Sequence, residues 1–553
     1  MGVNKLWQNG ADGCRNDGSE QMSRRPDKVQ IFDTTLRDGA QTAGITFSAE
    51  DKLRIAERLA SFGVDYIEGG WPGASPKDDR FFELSRERQW KHSKLVAFGS
   101  TARPGGPPSR DAGLKKLVTS GADAACIFGK SWDLHVTKAL GITLEENLTL
   151  VHDSVRFLKR HFEQVFFDAE HFFDGYAAKP DYALAVLDAA HDAGADSLVL
   201  CDTNGGSLPA TIGEVVKLVV ARFPDLVIGI HTHNDGELAV ANALMAVEAG
   251  ARQVQGTING IGERCGNANL TSIIPSLVLK MGVDCGIGKE RLVELKGVSD
   301  FVNEMANRLP WRHQPFVGLN AFAHKGGIHV SAVRKLSRLY EHISPESVGN
   351  KQRITVSDQA GRSNVLVLAA KTGFGLKLDA SDPAVAELVA EVKSLEDQGF
   401  AFEAAEASFH LMLLRAKGKL GHFFTLEGFR VIDEKRGDDG APQAEATVML
   451  RVGKKFAHTA SLGNGPVNAM DKALRAALQD FYPSLKEFRL VDYKVRVLST
   501  IDATEAAVRV LIESTDGERK WTTVGVSTNI IDASYQALLD AIEYKLMLDE
   551  VRP

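Results

Sequence analysis

Between Val29 and Ile258 the chain repeats one pattern eight times, a short apolar run followed by a longer amphipathic segment. The runs are 29–33, 66–70, 94–99, 124–129, 165–170, 198–202, 227–231 and 254–258. In the connecting stretch SAEDKLRIAERLASFG, Leu53, Ala56, Leu59 and Ala60 recur at helical spacing. Ser48 is its predicted N-cap and Gly63 its stop. KPDYALAVLDAAHDAG starts beside Pro180 and ends at Gly194 in the same manner. Eight βα units in about 250 residues is the tally of a TIM (β/α)8 barrel. An open doubly wound sheet rarely needs so many uniform units.

The whole chain has 553 residues, enough for such a barrel and further domains. Lys+Arg 65 against Asp+Glu 72 leaves a formal charge of −7, opposite to the basic footprint of a nucleic-acid binder. No apolar run approaches the roughly 18 residues of a membrane span. Even Val215–Val220 and Ser272–Leu279 are interrupted, by Lys217 and Pro275. The five cysteines form no CxxC and are too sparse for a disulfide framework. The amino terminus lacks the apolar stretch of a secretory signal, so the expected location is the cytoplasm. Rich in Gly, Asn and Asp and without period, residues 1–27 read as a disordered tail, with Met22 an alternative start.

Active sites of this barrel lie at the carboxyl ends of its strands, so the polar residues closing each run belong together. Run one leads to Arg37 and Asp38, and run five ends in Glu170-His171. Run six ends in Asp202-Thr203-Asn204, and run seven in His231-Thr232-His233-Asn234. NGIGERCGNANL, after run eight, carries Glu263 and Asn267. With a period of two, His231 and His233 share a face if the strand persists that far. Two imidazoles and a carboxylate at one mouth suit a divalent cation with open positions for substrate. An isolated HxH is more often two satisfied polar residues, and Arg37-Asp38 alone reads as a surface ion pair. The coincidence of all these groups on one rim favours the metal reading. A non-haem iron oxygenase shares the two-His-one-carboxylate set, but leaves Arg37 unexplained. Gly260, Gly262 and Gly266 lack the spacing of a dinucleotide fingerprint and read as a tight turn. Cys265 within it reads as structural.

DTTLRDGAQ, HTHND and GERCGNANL together resemble the metal-dependent barrel superfamily of 2-isopropylmalate, homocitrate and citramalate synthases and hydroxymethylglutaryl-CoA lyase. The resemblance runs from about residue 28 to the end. YIEGGWPGASPKDDRFF, with GGIHVSAV downstream, is most similar to the bacterial citramalate synthases. It implies Asp38, His231, His233 and Asn267 as ligands of Mg²⁺ or Mn²⁺, with Zn²⁺ also tolerated by the imidazoles. It implies Arg37 facing the keto oxygen, and Glu170 and Thr203 lining the keto-acid site. His329 and Tyr340 match the pair that activates acetyl-CoA, contributed in similar synthases to the other subunit of a homodimer; Glu170 is a further candidate base. Many synthases carry an Asp two residues after that histidine, where this chain has Ser331. The implied reaction joins acetyl-CoA to pyruvate, giving citramalate and CoA for isoleucine synthesis. A larger 2-oxo acid, giving isopropylmalate or homocitrate, is the enzyme alternative, and an inactive amino-acid sensor is the alternative of another class. Trp71 and Phe172 are expected to bound the pocket.

The expected organisation is a barrel over 28–290, helical linker subdomains over 291–396 and an α+β regulatory and dimerisation domain over 397–553. The last contains an internal two-fold repeat. TASLGNGPVNAMDKALRAAL and TVGVSTNIIDASYQALLDAI align without gaps, Thr459 onto Thr523 and Ala473 onto Ala537, an offset of 523 − 459 = 64. Each copy follows an alternating segment, 446–452 or 507–514, and so reads as strands followed by a helix. In similar synthases this domain binds an end-product amino acid, here isoleucine. Asn529, Asp532 and Ser534 sit at a predicted helix start whose amides could hold its carboxylate.

Overall fold

The computed structural model describes residues 26–88, 90, 92–354, 365–366, 382–435, 442–498 and 506–550. The tail expected to be disordered lies, through residue 25, outside the described residues, as do 355–364 and 367–381 of the expected linker.

Eight parallel strands close into a barrel in sequential order. They are β1 (Gln30–Asp33), β2 (Tyr66–Gly70), β3 (Lys94–Ser100) and β4 (Ala124–Lys130). β5 (Gln164–Glu170), β6 (Ser197–Asp202), β7 (Val227–Thr232) and β8 (Gln253–Gly256) complete it, and β8 pairs back onto β1. β8 stops two residues earlier than its apolar run. There the chain turns to pair with its own return segment, Thr257 N–H donating to Ala268 and Leu270 N–H to Thr257.

Local chemistry sets the helices. α1 (Ala49–Phe62) begins with a capping box in which Ser48 and Asp51 satisfy each other's backbone amides. It ends at Gly63, whose φ of 104° a side chain would resist. Its buried face, including Leu53, Ala56, Leu59 and Phe62, packs into the main core. α2 (Pro180–Asp192) opens with proline at its first turn.

The barrel interior is layered. Phe32, Tyr66 and Phe166 form an aromatic plug with ring centroids 4.9 to 5.7 Å apart. Two residues further along β2 and β5, Glu68 and Asp168 join Cys126 of β4 in a fully buried polar cluster toward the carboxyl end. An apolar floor thus lies under a polar mouth.

The described chain divides into two compact units. One runs to Phe322 and includes Ile343–Lys351; the other holds Ala323–His342 and the chain from Gln352. The second contains helices α3 (Gly327–Lys335) and α4 (Glu406–Ala416) and two antiparallel sheets. β9 (Thr425–Glu434), β10 (Gln443–Val452) and β11 (Lys455–Gly463) lead into helix α5 (Pro466–Gln479). β12 (Arg489–Val497), β13 (Val508–Thr515) and β14 (Lys520–Ser527) lead into α6 (Ile530–Glu550). The offset seen in the sequence extends to the whole three-strand-and-helix repeat, since 489 − 425 = 64 and 530 − 466 = 64. Even a hydrogen bond repeats: Thr459 Oγ1 donates to Ala473 and Thr523 Oγ1 to Ala537.

Candidate active site

A cavity of about 230 Å³ opens at the carboxyl ends of the barrel strands. Arg37, Asp38, Glu170, Thr203, His231 and His233 all line it, drawn together from four of the strand ends singled out in the sequence. Asn267 lies beside it, its amide nitrogen 3.1 Å from Asp38 Oδ2 and 3.2 Å from His231 Nε2. Three donor atoms, from Asp38, His231 and His233, fall within 4.8 Å of one another, and all three residues are buried. His231 Nε2 is 3.3 Å from both Asp38 Oδ2 and His233 Nε2. His233 follows the last residue of β7 and is held in place by a bridge to Asn267.

This donor set fits a divalent cation. Nitrogen, nitrogen and oxygen donors from His231, His233 and Asp38 converge on one point, while Asn267 turns its amide nitrogen toward them and its Oδ1 toward Gly262. The loop is shaped for that asparagine. A Cβ on Gly262 would lie 1.7 Å from Asn267 Oδ1, and Gly266 adopts φ of 101°. Cys265, in the same turn, is exposed.

The electrostatics favour a charged mouth. Burial opposes ionisation of Asp38, yet Arg37 and the two imidazoles hold its carboxyl well below the usual carboxylate range. Burial and the neighbouring His231 push His233 down to about 4, which keeps it neutral and free to ligate. Burial works against charging Arg37, but Glu68 and Asp38 raise it further above its ordinary value. Its Nε donates to Glu68 at 2.5 Å, and its guanidinium lies 3.7 Å from the Phe98 ring centre. Burial pushes Glu68 up to about 7, against the pull of Arg37.

At the β5 end, Lys130 Nζ pairs with Glu170, and His171 N–H donates to Thr203 Oγ1 at 2.8 Å. Trp71 stands edge-on to Phe98 and Phe128, and these three rings form the apolar wall. Phe172 does not join them: it is fully buried, packed on Phe173 and Tyr176, because α-helical geometry after His171 turns it into the core. Trp71 also borders a second cavity of about 550 Å³ lined by Arg103, Arg110 and Lys116.

In the other unit, His329 and Tyr340 are both exposed and their rings lie 4.2 Å apart. Beside them His324 pairs with Glu341 at 3.1 Å, and Gln352 donates to the same carboxylate. At the start of α6, Asn529 Oδ1 already accepts from the amides of Ile531 and Asp532. Ser534 is buried, bonded to Ile530 and Tyr493. Asp532 accepts from Gln536 Nε2, so of the three only Asn529 caps the helix.

Glu68, Phe98, Asp168 and Gln255 escaped the reading of strand ends. The available signal was charge inside strands that are otherwise apolar: Glu68 in YIEGG, and Asp168 two residues before Glu170.

A family model described as HMGL-like matches residues 28–298. One described as homocitrate synthase post-HMGL domain-like matches 316–400, and a LeuA allosteric (dimerisation) domain matches 403–546. An (R)-citramalate synthase of Aquifex aeolicus is 57% identical over 95% of this chain and 99% of its own length. The chain belongs to the citramalate synthase family. Another member, the (R)-citramalate synthase of Geobacter sulfurreducens, is 55% identical over 94% of this chain and 98% of its own. A 2-isopropylmalate synthase of Methanocaldococcus jannaschii is more distant, 31% identical over 94% of each chain. Membership in this family accounts for the order of parts, barrel first and LeuA-type domain last. No described helix is long and apolar enough to cross a membrane.

Proposed function

We propose that the chain condenses acetyl-CoA with pyruvate and, with water cleaving the thioester, releases (R)-citramalate and CoA. The observation that carries this reading is the likeness, over nearly the full length, to relatives named (R)-citramalate synthase.

Asp38, His231, His233 and Asn267 would hold a divalent cation, Mg²⁺ or Mn²⁺ with Zn²⁺ as the alternative. When bound, it supplies Lewis-acid polarisation of a 2-oxo acid and a template for its carboxylate. Arg37 contributes a fixed positive charge where the alkoxide develops, already oriented by Glu68 and Phe98 before substrate arrives. Thr203 and Glu170 orient the keto acid, and the wall of Trp71, Phe98 and Phe128 faces its methyl group. The acetyl methyl must lose a proton to become the nucleophile, a step worth about 10²–10⁴-fold when a side chain takes it. His329, with Tyr340 against its ring, is assigned that role, and Glu170 is the other base within the barrel mouth. Arg103, Arg110 and Lys116 suit the phosphates of CoA. The LeuA-type domain is assigned homodimerisation and the binding of isoleucine as feedback effector, and Asn529, Asp532 and Ser534 remain its candidate contacts.

The deciding assay is CoA release from acetyl-CoA with Mn²⁺, offering pyruvate, 2-oxobutyrate, 2-oxoisovalerate and 2-oxoglutarate in parallel. The expected result is a clear preference for pyruvate, with isoleucine inhibiting. Preference for a branched or dicarboxylic acid would replace the substrate, and no release with any acid would sink the reading.

A further inference from the structure

We propose that Gln255 and Asp168 are positioning residues that select the tautomer of His231; the inference rests on reading Asp38, His231 and His233 as cation ligands. Gln255 and His231 are register partners on β8 and β7. His231 Nδ1 lies 2.8 Å from Gln255 Oε1, and Gln255 Nε2 donates across the barrel interior to Asp168 Oδ1 at 3.0 Å. All three side chains are buried.

A primary amide has one accepting end and one donating end, so its orientation decides which ring nitrogen of a bonded histidine carries the proton. The Asp168 carboxylate accepts, and therefore takes the NH₂ end of Gln255. The carbonyl end is left for His231, whose Nδ1 must then be the protonated nitrogen. Nε2 is freed to present its lone pair toward Asp38 and His233, the atoms it already faces at 3.3 Å. The opposite amide orientation would put the proton on Nε2 and remove the ligand. His233 has no equivalent support, since its Nδ1 is buried without a partner among the described residues. The relay therefore orders the site through one imidazole. Outer partners of this kind commonly govern metal affinity about 10–100-fold.

Calorimetric titration of Mn²⁺ into the purified full chain tests this. Wild type is expected to bind at one site that Asp38→Ala abolishes. Gln255→Leu, which keeps bulk and removes both ends of the amide, is expected to raise the Mn²⁺ Kd by about 10–100-fold. Gln255→Glu alone sets a second carboxylate against Asp168 and is expected to weaken binding as well. Gln255→Glu combined with Asp168→Asn rebuilds an acceptor for His231 and a donor beneath it, and is expected to return Kd to the wild-type range. A packing role alone would not produce that rescue. Wild-type affinity in Gln255→Leu, or no rescue in the double variant, would overturn the relay while leaving the metal site intact. Absence of an Asp38-dependent site in wild type would instead overturn the metal reading and the relay with it. Circular dichroism reports folding of each variant; should Gln255→Leu not fold, Asp168→Asn with and without Gln255→Glu decides the matter.

Discussion

The Arg37 guanidinium is gripped on three sides, by Glu68 at 2.5 Å, by Asp38 at 3.4 Å and by the face of Phe98. A planar fork can satisfy a carboxylate and stack on a ring at once, whereas an ammonium is a point charge on a flexible stem. Arg37→Lys should therefore keep the charge and lose its aim. The expected outcome is a fall in kcat of about 10²–10³-fold, the scale of a lost oxyanion donor, with thermal stability nearly unchanged. Steady-state kinetics beside a melting curve checks it, and a wild-type kcat would remove Arg37 from the alkoxide. The position of Arg37 at the rim was legible because it directly follows a strand-like run. Its partners were not. Glu68 lies 31 residues away and meets Arg37 only because β1 and β2 pair side by side.

At the scale of elements, seven of the eight strands both start and end within one residue of their apolar runs, because turn residues and caps act locally. The early end of β8 was not local: Thr257 exchanges backbone hydrogen bonds with Ala268 and Leu270, and the Ile258 amide donates to Thr35 Oγ1, rather than extending the sheet. The repeat was visible as sequence identity, yet only the fold shows that all three strands and the helix obey the same offset. Between α4 and α6, His410 Nδ1 meets the Tyr544 hydroxyl at 3.1 Å, and burial pushes this imidazole down to about 4. The unfolded chain takes up its proton near the ordinary value of 6.5, while the folded chain resists until about 4. Stability from this group is thus complete above 6.5 and declines as pH falls toward 4, by an order of a few kcal/mol. His410→Gln, which cannot titrate, is expected to flatten the fall of Tm between those limits. Parallel curves for the two proteins would contradict the prediction.

At the scale of the whole molecule, the chain carries a LeuA allosteric (dimerisation) domain, and the proposed homodimer, with its division of labour between His329 and the barrel, invites a complementation test. Chains carrying Arg37→Ala and chains carrying His329→Ala are each expected to be inactive. Coexpressed as mixed dimers, they should regain activity if His329 serves the other subunit, because one intact set then exists per dimer. CoA release by the isolated heterodimer measures this, and inactivity would confine the pair to its own chain.

What the sequence determined by itself was whatever depends on neighbours along the chain. The period of two in strands, the period near 3.6 in helices, the caps at Ser48 and Gly63 and the 64-residue repeat are all local statements. From them follow the barrel and, through the rule that its strands end at the active face, the rim that gathers Asp38, His231 and His233. Only the tertiary structure decided what lies beneath that rim. Asp168 and Gln255 are 87 residues apart and share a hydrogen bond because barrel closure points their side chains into one dry interior. In such an interior an unpaired polar atom is costly, and that cost, invisible along the chain, favours the orientation in which Gln255 bonds both Asp168 and His231.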